Sequence, residues 1–145
     1  MKSSKPRSTC PISFSLDVLG DRWALLILRD MVFAGKSTYS EFLQSPEKMA
    51  TNILVDRLAT LDAQGFVTKQ VAADKKSKFT YRLTEKGLDL IPLLMELSQW
   101  GTKYIPTGGN PTLAQELATD REATLTRYRQ LVQARQANEA PLLAD

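Results

Sequence analysis

The sequence predicts a mainly α protein with a small β-hairpin, an α+β fold, and two observations support this prediction. Most of the chain repeats its apolar residues at the i, i+3, i+4 and i+7 spacing of helices. One short stretch instead alternates apolar and polar residues, which is typical of a strand with one buried face. The length of 145 residues suits one domain with a modest core.

Three helices are predicted before the hairpin. Residues 14–33 are apolar on more than one side, which indicates a helix buried by several neighbours. Thr38 and Glu41 have the spacing of a capping box and begin a short second helix. After a polar break, residues 50–64 form a third helix with a buried stripe of leucines.

The hairpin consists of residues 66–71 and 79–83, joined by a polar, basic loop that is longer than a two-residue turn. A helix then follows from Thr84 to about residue 104, with a kink at Pro92. A glycine-rich linker leads to a last amphipathic helix over about residues 112–136. We expect the apolar stripe of this tail helix to pack against the other subunit of a dimer.

Composition excludes most enzyme chemistry. The chain has no histidine and a single cysteine, Cys10, which removes Ser–His and Cys–His catalysis, an internal disulfide and cysteine-cluster metal sites. No phosphate-cradling glycine loop or catalytic carboxylate pair is evident. We therefore expect no enzyme activity, no cofactor and no metal. The sequence also has neither a long apolar run nor a secretory signal, which predicts a cytoplasmic protein without membrane contact.

Positive charge is modest overall but unevenly distributed. The formal net charge is +3, and basic residues are concentrated in the N-terminal arm and in residues 69–82, around the hairpin loop. The domain organisation follows: a flexible basic arm (1–12), a folded domain (13–104), and a linker with a C-terminal amphipathic helix (105–145).

The order of elements is that of a winged helix-turn-helix, with extra N- and C-terminal helices for dimerisation. In that fold the third helix enters the DNA major groove and the basic hairpin, or wing, contacts the backbone. Asn52 suits bidentate pairing with adenine and Val55 suits a thymine methyl, whereas Asp56 repels phosphate unless a neighbouring cation offsets it. The alternative is a solvated helix face. The candidate DNA-binding residues are Lys48, Thr51, Asn52, Val55, Arg57, Lys75, Lys76 and Lys78.

Many short motifs in the same order give the chain a family resemblance. They are C-P (10–11), L-G-D-R-W-A-L-L-I-L-R-D (19–30), Y-S-E-F (39–42), A-T-N-I-L (50–54), D-R-L (56–58), G-F-V (65–67), Y-R-L-T-E-K-G (81–87) and W-G (100–101). Over about residues 10–104 the chain resembles the HxlR-type bacterial transcriptional regulators. It departs from them in a wing that is more basic and lacks proline, and in a longer tail.

The resemblance implies a homodimeric regulator that binds a two-fold operator in double-stranded DNA, and we expect it to act as a repressor. It places the dimer interface on the N-terminal segment and on the helix after the wing. The candidate interface residues are Leu16, Trp23, Leu94, Leu97, Trp100, Leu125 and Tyr128. A ligand pocket between the first helix and the helix after the wing is the alternative for the two tryptophans.

The resemblance also bears on Cys10, because some family members sense oxidants or electrophiles through a cysteine near the N-terminus. A reactive thiolate is favoured by nearby positive charge, here Lys5 and Arg7, and by a helix N-terminus. The alternatives are a cysteine that is only a small buried apolar residue, and regulation by a small-molecule effector instead. A protein-interaction module without specific DNA binding is the alternative to a DNA-binding regulator.

Overall fold

The computed structural model describes residues 5–71 and 78–138, and it confirms the predicted fold class. Helices surround one antiparallel hairpin, in which Val67 pairs with Leu83 and Val71 pairs with Phe79. The elements are α1 (Pro11–Leu19), α2 (Arg22–Phe33), α3 (Tyr39–Leu43), α4 (Thr51–Ala63), β1 (Val67–Val71), β2 (Phe79–Leu83), α5 (Glu85–Leu88), α6 (Ile91–Tyr104), α7 (Pro111–Thr119) and α8 (Arg121–Ala137).

The predicted single helix over residues 14–33 is in fact two helices. The Gly20 amide donates to the carbonyl of Leu16 at 2.7 Å, and a Cβ at Gly20 would lie only 2.3 Å from that oxygen. Asp21 is extended, and its carboxylate accepts the Ala24 amide at 2.8 Å, which caps α2. The apolar pattern continues on both sides of this junction, so periodicity alone did not reveal the break. The first helix also begins at Pro11, inside the predicted arm.

Two other predicted helices are also divided. The helix predicted from Thr84 to residue 104 is α5 and α6, and Pro92 lies in the first turn of α6, where no amide donor is needed. The tail helix is α7 and α8, because the Asp120 side chain accepts the Ala123 amide at 3.0 Å and starts a new helix. Local caps therefore determine where these segments break.

One apolar core is shared by α2 to α8 and the hairpin. The leucine stripe predicted on the third helix is buried, and the Thr38–Glu41 capping box begins α3 as predicted. The most deeply buried side chains of the core include Ile27, Leu28, Phe42, Leu54, Leu58, Leu61, Val67, Ile91, Met95, Leu113 and Val132. The core therefore fixes α4 and the hairpin relative to each other.

The tail helices pack against their own chain, which differs from the expectation that they cover the other subunit. The Gln136 side chain accepts the Leu83 amide at 2.8 Å, and Arg135 donates to the Val32 carbonyl at 2.8 Å. The Tyr128 ring meets Phe33 edge-on, with ring centroids 5.6 Å apart. The linker returns the chain to the apolar surface left by α2 and α6, so Leu113, Leu117 and Val132 of the tail are buried without a partner subunit.

Gly87→Ala is expected to destabilise the protein by about 1–3 kcal/mol through overpacking. A Cβ at Gly87 would lie 2.3 Å from the Phe66 carbonyl oxygen and 2.9 Å from Leu83 Cδ2. Urea unfolding would measure the effect. Gly101→Ala in α6 is the matched control, since no described atom lies within 4 Å of its Cβ, and it is expected to gain about 0.5–1 kcal/mol. Equal stability of the two variants would contradict the close contact at Gly87.

Candidate nucleic-acid interface

Helices α3 and α4 form the helix-turn-helix, and α4 presents its unburied face to solvent. Leu54, Leu58 and Leu61 face the core, whereas Thr51 and Asn52 are exposed and Val55 is 56% exposed. A hydrogen-bonding amide and an apolar side chain therefore lie one turn apart near the N-terminal end of a free helix face. This is the composition that base edges in the major groove can accept.

A cluster of charged groups holds the turn between these two helices. Asp30 at the end of α2 is buried and accepts hydrogen bonds from Arg29 and from the Ser45 hydroxyl. Arg29 also binds both carboxylate oxygens of Glu47, at 2.7 and 2.9 Å, and Lys36 donates to Ser45 Oγ at 2.8 Å. The buried carboxylate is thus satisfied, and the turn before α4 is tied to α2.

Lys48 ends this turn in the left-handed backbone region, at φ 55°. Its amide donates to the Ser45 carbonyl at 3.0 Å, which closes the turn. The side chain is exposed and lies three residues before Thr51, the first residue of α4. That position suits a phosphate contact next to the helix N-terminus.

Arg57, which the sequence predicts to contact DNA, is held by two carboxylates in the free chain. Its Nε donates to Asp21 Oδ2 at 2.7 Å and its Nη1 donates to Asp56 Oδ2 at 2.6 Å. The hydrogen bond to Asp21 raises the pKa of Arg57. Burial alone would raise the pKa of Asp21, but Arg57 and the Ala24 amide outweigh it and hold that pKa below its usual value. Arg57 offsets the charge of Asp56, and two of its guanidinium nitrogens, Nε and Nη1, are bound to carboxylates.

The hairpin lies beside α4 and forms an open groove of about 640 Å³ with α3 and α4. Val55, Lys69, Lys78 and Phe79 line it, and the Lys69 ammonium lies 4.0 Å from the centroid of the Phe79 ring. Two cations and one carboxylate, that of Asp62, thus line the space next to α4. Lys75 and Lys76 of the predicted wing lie outside the described residues.

Sequence reasoning missed Lys69 as a site residue because it lies on the strand before the loop. In the hairpin Lys69 pairs with Tyr81, and both side chains line the groove. Thr38 and Ser40 also line the groove from α3, and the exposed Ser40 hydroxyl can bind a phosphate oxygen. Only the packing of α3 against the hairpin brings these groups together.

Apolar side chains are exposed on α1 and on one face of α6. Every residue of α1 is exposed or half-buried, with Leu16 at 63% exposure. On α6, Leu97 is 50% and Trp100 is 70% exposed. Between α2 and α6 lies an apolar groove of about 400 Å³, whose lining includes Leu97. Such a surface is typical of a protein contact.

The other predicted interface residues are less accessible in the folded chain. Leu94 is buried in the core. Leu125 and Tyr128 are half-buried against the same core, which the tail helices complete, and Trp23 packs there too. The accessible part of the predicted interface is therefore Leu16, Leu97 and Trp100.

Cys10 is exposed, and it is the N-cap residue of α1. Its carbonyl accepts the Phe14 amide at 3.0 Å, and its own amide donates to Ser8 Oγ at 3.2 Å. The interpretation as a small buried apolar residue does not apply. Its sulfur is open to a soluble oxidant or to a second thiol.

Acid is expected to weaken the fold through the carboxylates around the helix-turn-helix. Hydrogen bonds from Arg29 lower the pKa of Glu47. Burial would raise the pKa of Glu41, but the Ser37 and Thr38 amides and the Thr38 hydroxyl outweigh it and lower that pKa.

Because these pKa values are lower in the folded than in the unfolded chain, their stabilisation is complete above the ordinary value of 4.5 and is lost as the pH falls through the folded pKa. Urea midpoints at pH 7 and pH 3 would measure this loss. Glu41→Gln should reduce stability at pH 7 and flatten its pH dependence. A Glu41→Gln curve parallel to that of the wild type would contradict the assignment.

Residues 5–71 and 78–138 hold no cluster of three or more His, Cys, Asp or Glu side chains that could bind a metal ion. These segments also hold no helix with both the length and the apolar character needed to cross a bilayer.

The family model for the HxlR-like helix-turn-helix matches residues 18–108, which include all of α2 to α6. The chain belongs to the HxlR family. Among its relatives is the HTH-type transcriptional regulator YybR of Bacillus subtilis (strain 168), which is 33% identical over 92 residues that cover 63% of this chain and 73% of YybR. This HxlR protein is therefore a DNA-binding transcriptional regulator and not an enzyme.

Solved structures agree with this assignment. The candidate transcription factor PA1607 is 40% identical, with a TM-score of 0.62 over 72% of both chains. The redox regulator HypR in its oxidised form is 30% identical, with a TM-score of 0.60 over 68% of this HxlR protein and 100% of HypR. The winged helix-turn-helix architecture is thus shared with solved relatives.

Proposed function

We propose that this HxlR-family regulator is a homodimeric repressor that binds a two-fold operator and responds to oxidants through Cys10. The observation that supports DNA reading is the exposed N-terminal face of α4 beside a groove whose lining includes Lys69 and Lys78. Asn52 reads an adenine through its amide, and Val55 contacts a thymine methyl. Lys48, Lys69 and Lys78 bind the phosphate backbone, which positions α4 without reading sequence.

Dimerisation is supported by the apolar surface that the single chain leaves uncovered. Leu16, Leu97 and Trp100 are each at least half exposed, and burying such side chains against an identical subunit removes apolar area from water. A two-fold dimer also places two recognition helices on successive major grooves of an operator with matching symmetry.

The thiol response is supported by the exposure of Cys10 at the start of α1 and by the similarity to HypR, a redox regulator. The chain has one cysteine, so a disulfide must join two subunits or capture a small thiol. With hydrogen peroxide, two Cys10 thiols lose two electrons and two protons to form one disulfide, and the peroxide is reduced to two waters. This bond changes the placement of α1 in the dimer.

Fluorescence anisotropy on the DNA upstream of the protein's own gene tests these proposals. We expect tight, competitor-resistant binding whose affinity falls steeply with salt, by about 0.9 log units per log unit of salt for each phosphate contact. Mild oxidation should weaken binding, and Cys10→Ser should prevent that effect.

Other outcomes would overturn parts of the proposal. Equally weak binding to every DNA tested would favour a protein-interaction module. Tight binding that is indifferent to oxidation would exclude the thiol response and direct attention to a small effector in the apolar groove between α2 and α6.

A further inference from the structure

The Asp21 carboxylate connects two helices that perform different tasks in the proposed function. One of its oxygens accepts the Ala24 amide at 2.8 Å and also Arg57 Nε at 2.7 Å. Ala24 belongs to the first turn of α2, directly after the junction with α1, and Arg57 lies in the middle of α4. A single side chain therefore joins the α1–α2 junction to the recognition helix.

The ion pair is well placed to resist movement. The side chains of Arg57 and Asp21 are 25% and 21% exposed, so solvent screens them less than it screens a surface pair. Arg57 also holds Asp56, so one guanidinium lies between two carboxylates. This group carries more negative than positive charge, and it does not attract a phosphate.

Helix α1 depends strongly on this junction for its position. All of its residues are exposed or half-buried, and it meets the domain mainly through its last turn, where Val18 and Leu19 pack against the core. The same helix bears the exposed Leu16 and begins at Cys10. A change in the position of α1 therefore acts on the residues next to Asp21.

We propose that Asp21 and Arg57 are positioning residues, which hold α4 in register with α1 and transmit changes at α1 to the DNA-reading face. This inference rests on the proposed function, because it assigns a consequence to the placement of α4. Arg57 then affects operator recognition without touching DNA.

Substitutions separate this role from a direct phosphate contact. Asp21→Asn keeps a good N-cap for α2 and removes the charge, while Arg57→Met keeps the aliphatic length and removes the guanidinium. Each is expected to lower operator affinity about tenfold, and the double variant should lose no more than either single one, since the pair acts as a unit.

The salt dependence decides between the two roles. For positioning residues the slope of affinity against salt stays at the wild-type value, because no phosphate contact is lost. If Arg57→Met instead lowers the slope by about 0.9 for each lost contact while Asp21→Asn leaves affinity unchanged or higher, Arg57 is a DNA ligand and the proposal fails. Glu116→Gln is the control: it breaks the ion pair with Arg127 in the tail and should change neither affinity nor slope.

A measurement without DNA keeps this inference separate from the proposed function. Hydrogen exchange of amides in the first turns of α2 and in α4 should accelerate in both single variants of the free protein, while urea midpoints confirm that both remain folded. Unchanged exchange in these turns would overturn the positioning role even if the wild type binds its operator. A wild type with no operator preference would overturn the proposed function, and the exchange data would still decide whether the pair holds α4.

Discussion

Trp100→Asp and Leu16→Asp are each expected to yield a monomer that has lost nearly all preference for its operator. The two side chains are 70% and 63% exposed in the single chain, so they are available to be buried by a partner. A carboxylate in their place would have to leave water without a compensating partner, which opposes association. We expect operator affinity to fall by about a thousandfold, because a monomer reads one half-site while specific recognition exceeds non-specific binding by about 10³ to 10⁷.

Sedimentation of each variant, followed by anisotropy on the operator, would measure both effects. Leu131→Asp is the matched control, since Leu131 is 40% exposed on α8 and is not one of the proposed interface residues Leu16, Leu97 and Trp100, so this variant should remain dimeric. A dimeric Trp100→Asp protein, or a monomeric wild type that binds its operator tightly, would contradict the proposed interface.

Asn52→Ala is expected to reduce operator affinity by about a hundredfold or more. A bidentate contact to a base is worth about 1–3 kcal/mol of discrimination, and a dimer loses two of them. Asn52 is exposed in the first turn of α4, so its truncation should change the free energy of unfolding by no more than about 0.5 kcal/mol. Binding to unrelated DNA should remain unchanged, because no charge is removed.

Lys78→Gln provides the contrast to this variant. A phosphate contact should contribute equally on all sequences, so Lys78→Gln should weaken specific and non-specific binding alike and lower the salt slope. Anisotropy titrations of both variants on operator and scrambled DNA, across salt, would measure these effects. An Asn52→Ala protein that loses affinity equally on both DNAs would show that Asn52 does not read a base.

The central elements of the site were predictable because their signals are local. The Thr38–Glu41 capping box lies within one helical turn, and the leucines of α4 repeat at helical spacing. The alternation of residues 79–83 marks a strand in the same way. From these patterns, the exposure of Asn52 and Val55 followed directly, since they lie opposite the leucines.

The breaks between consecutive helices were less predictable, because the helical repeat of apolar residues continues across them. Asp21 and Asp120 each cap a new helix, but an aspartate between two apolar segments also fits the polar face of one continuous helix. Likewise, the sequence predicts a helix kink at Pro92, whereas in the structure Pro92 occupies the first turn of α6. Which alternative is adopted depends on how the two segments pack.

The amino-acid sequence by itself determined the fold class, the family, the helix-turn-helix and the exposed face of its second helix, because each depends on residues close together in the chain. Only the tertiary structure decided that Arg57 binds Asp21, 36 residues away, and that the tail covers its own core. The partner of a charged or apolar side chain depends on which elements lie next to it in the folded chain, and the local spacing of residues does not encode this. For the same reason, the place of Lys69 in the groove follows from the packing of β1 beside α4 and not from the sequence around Lys69.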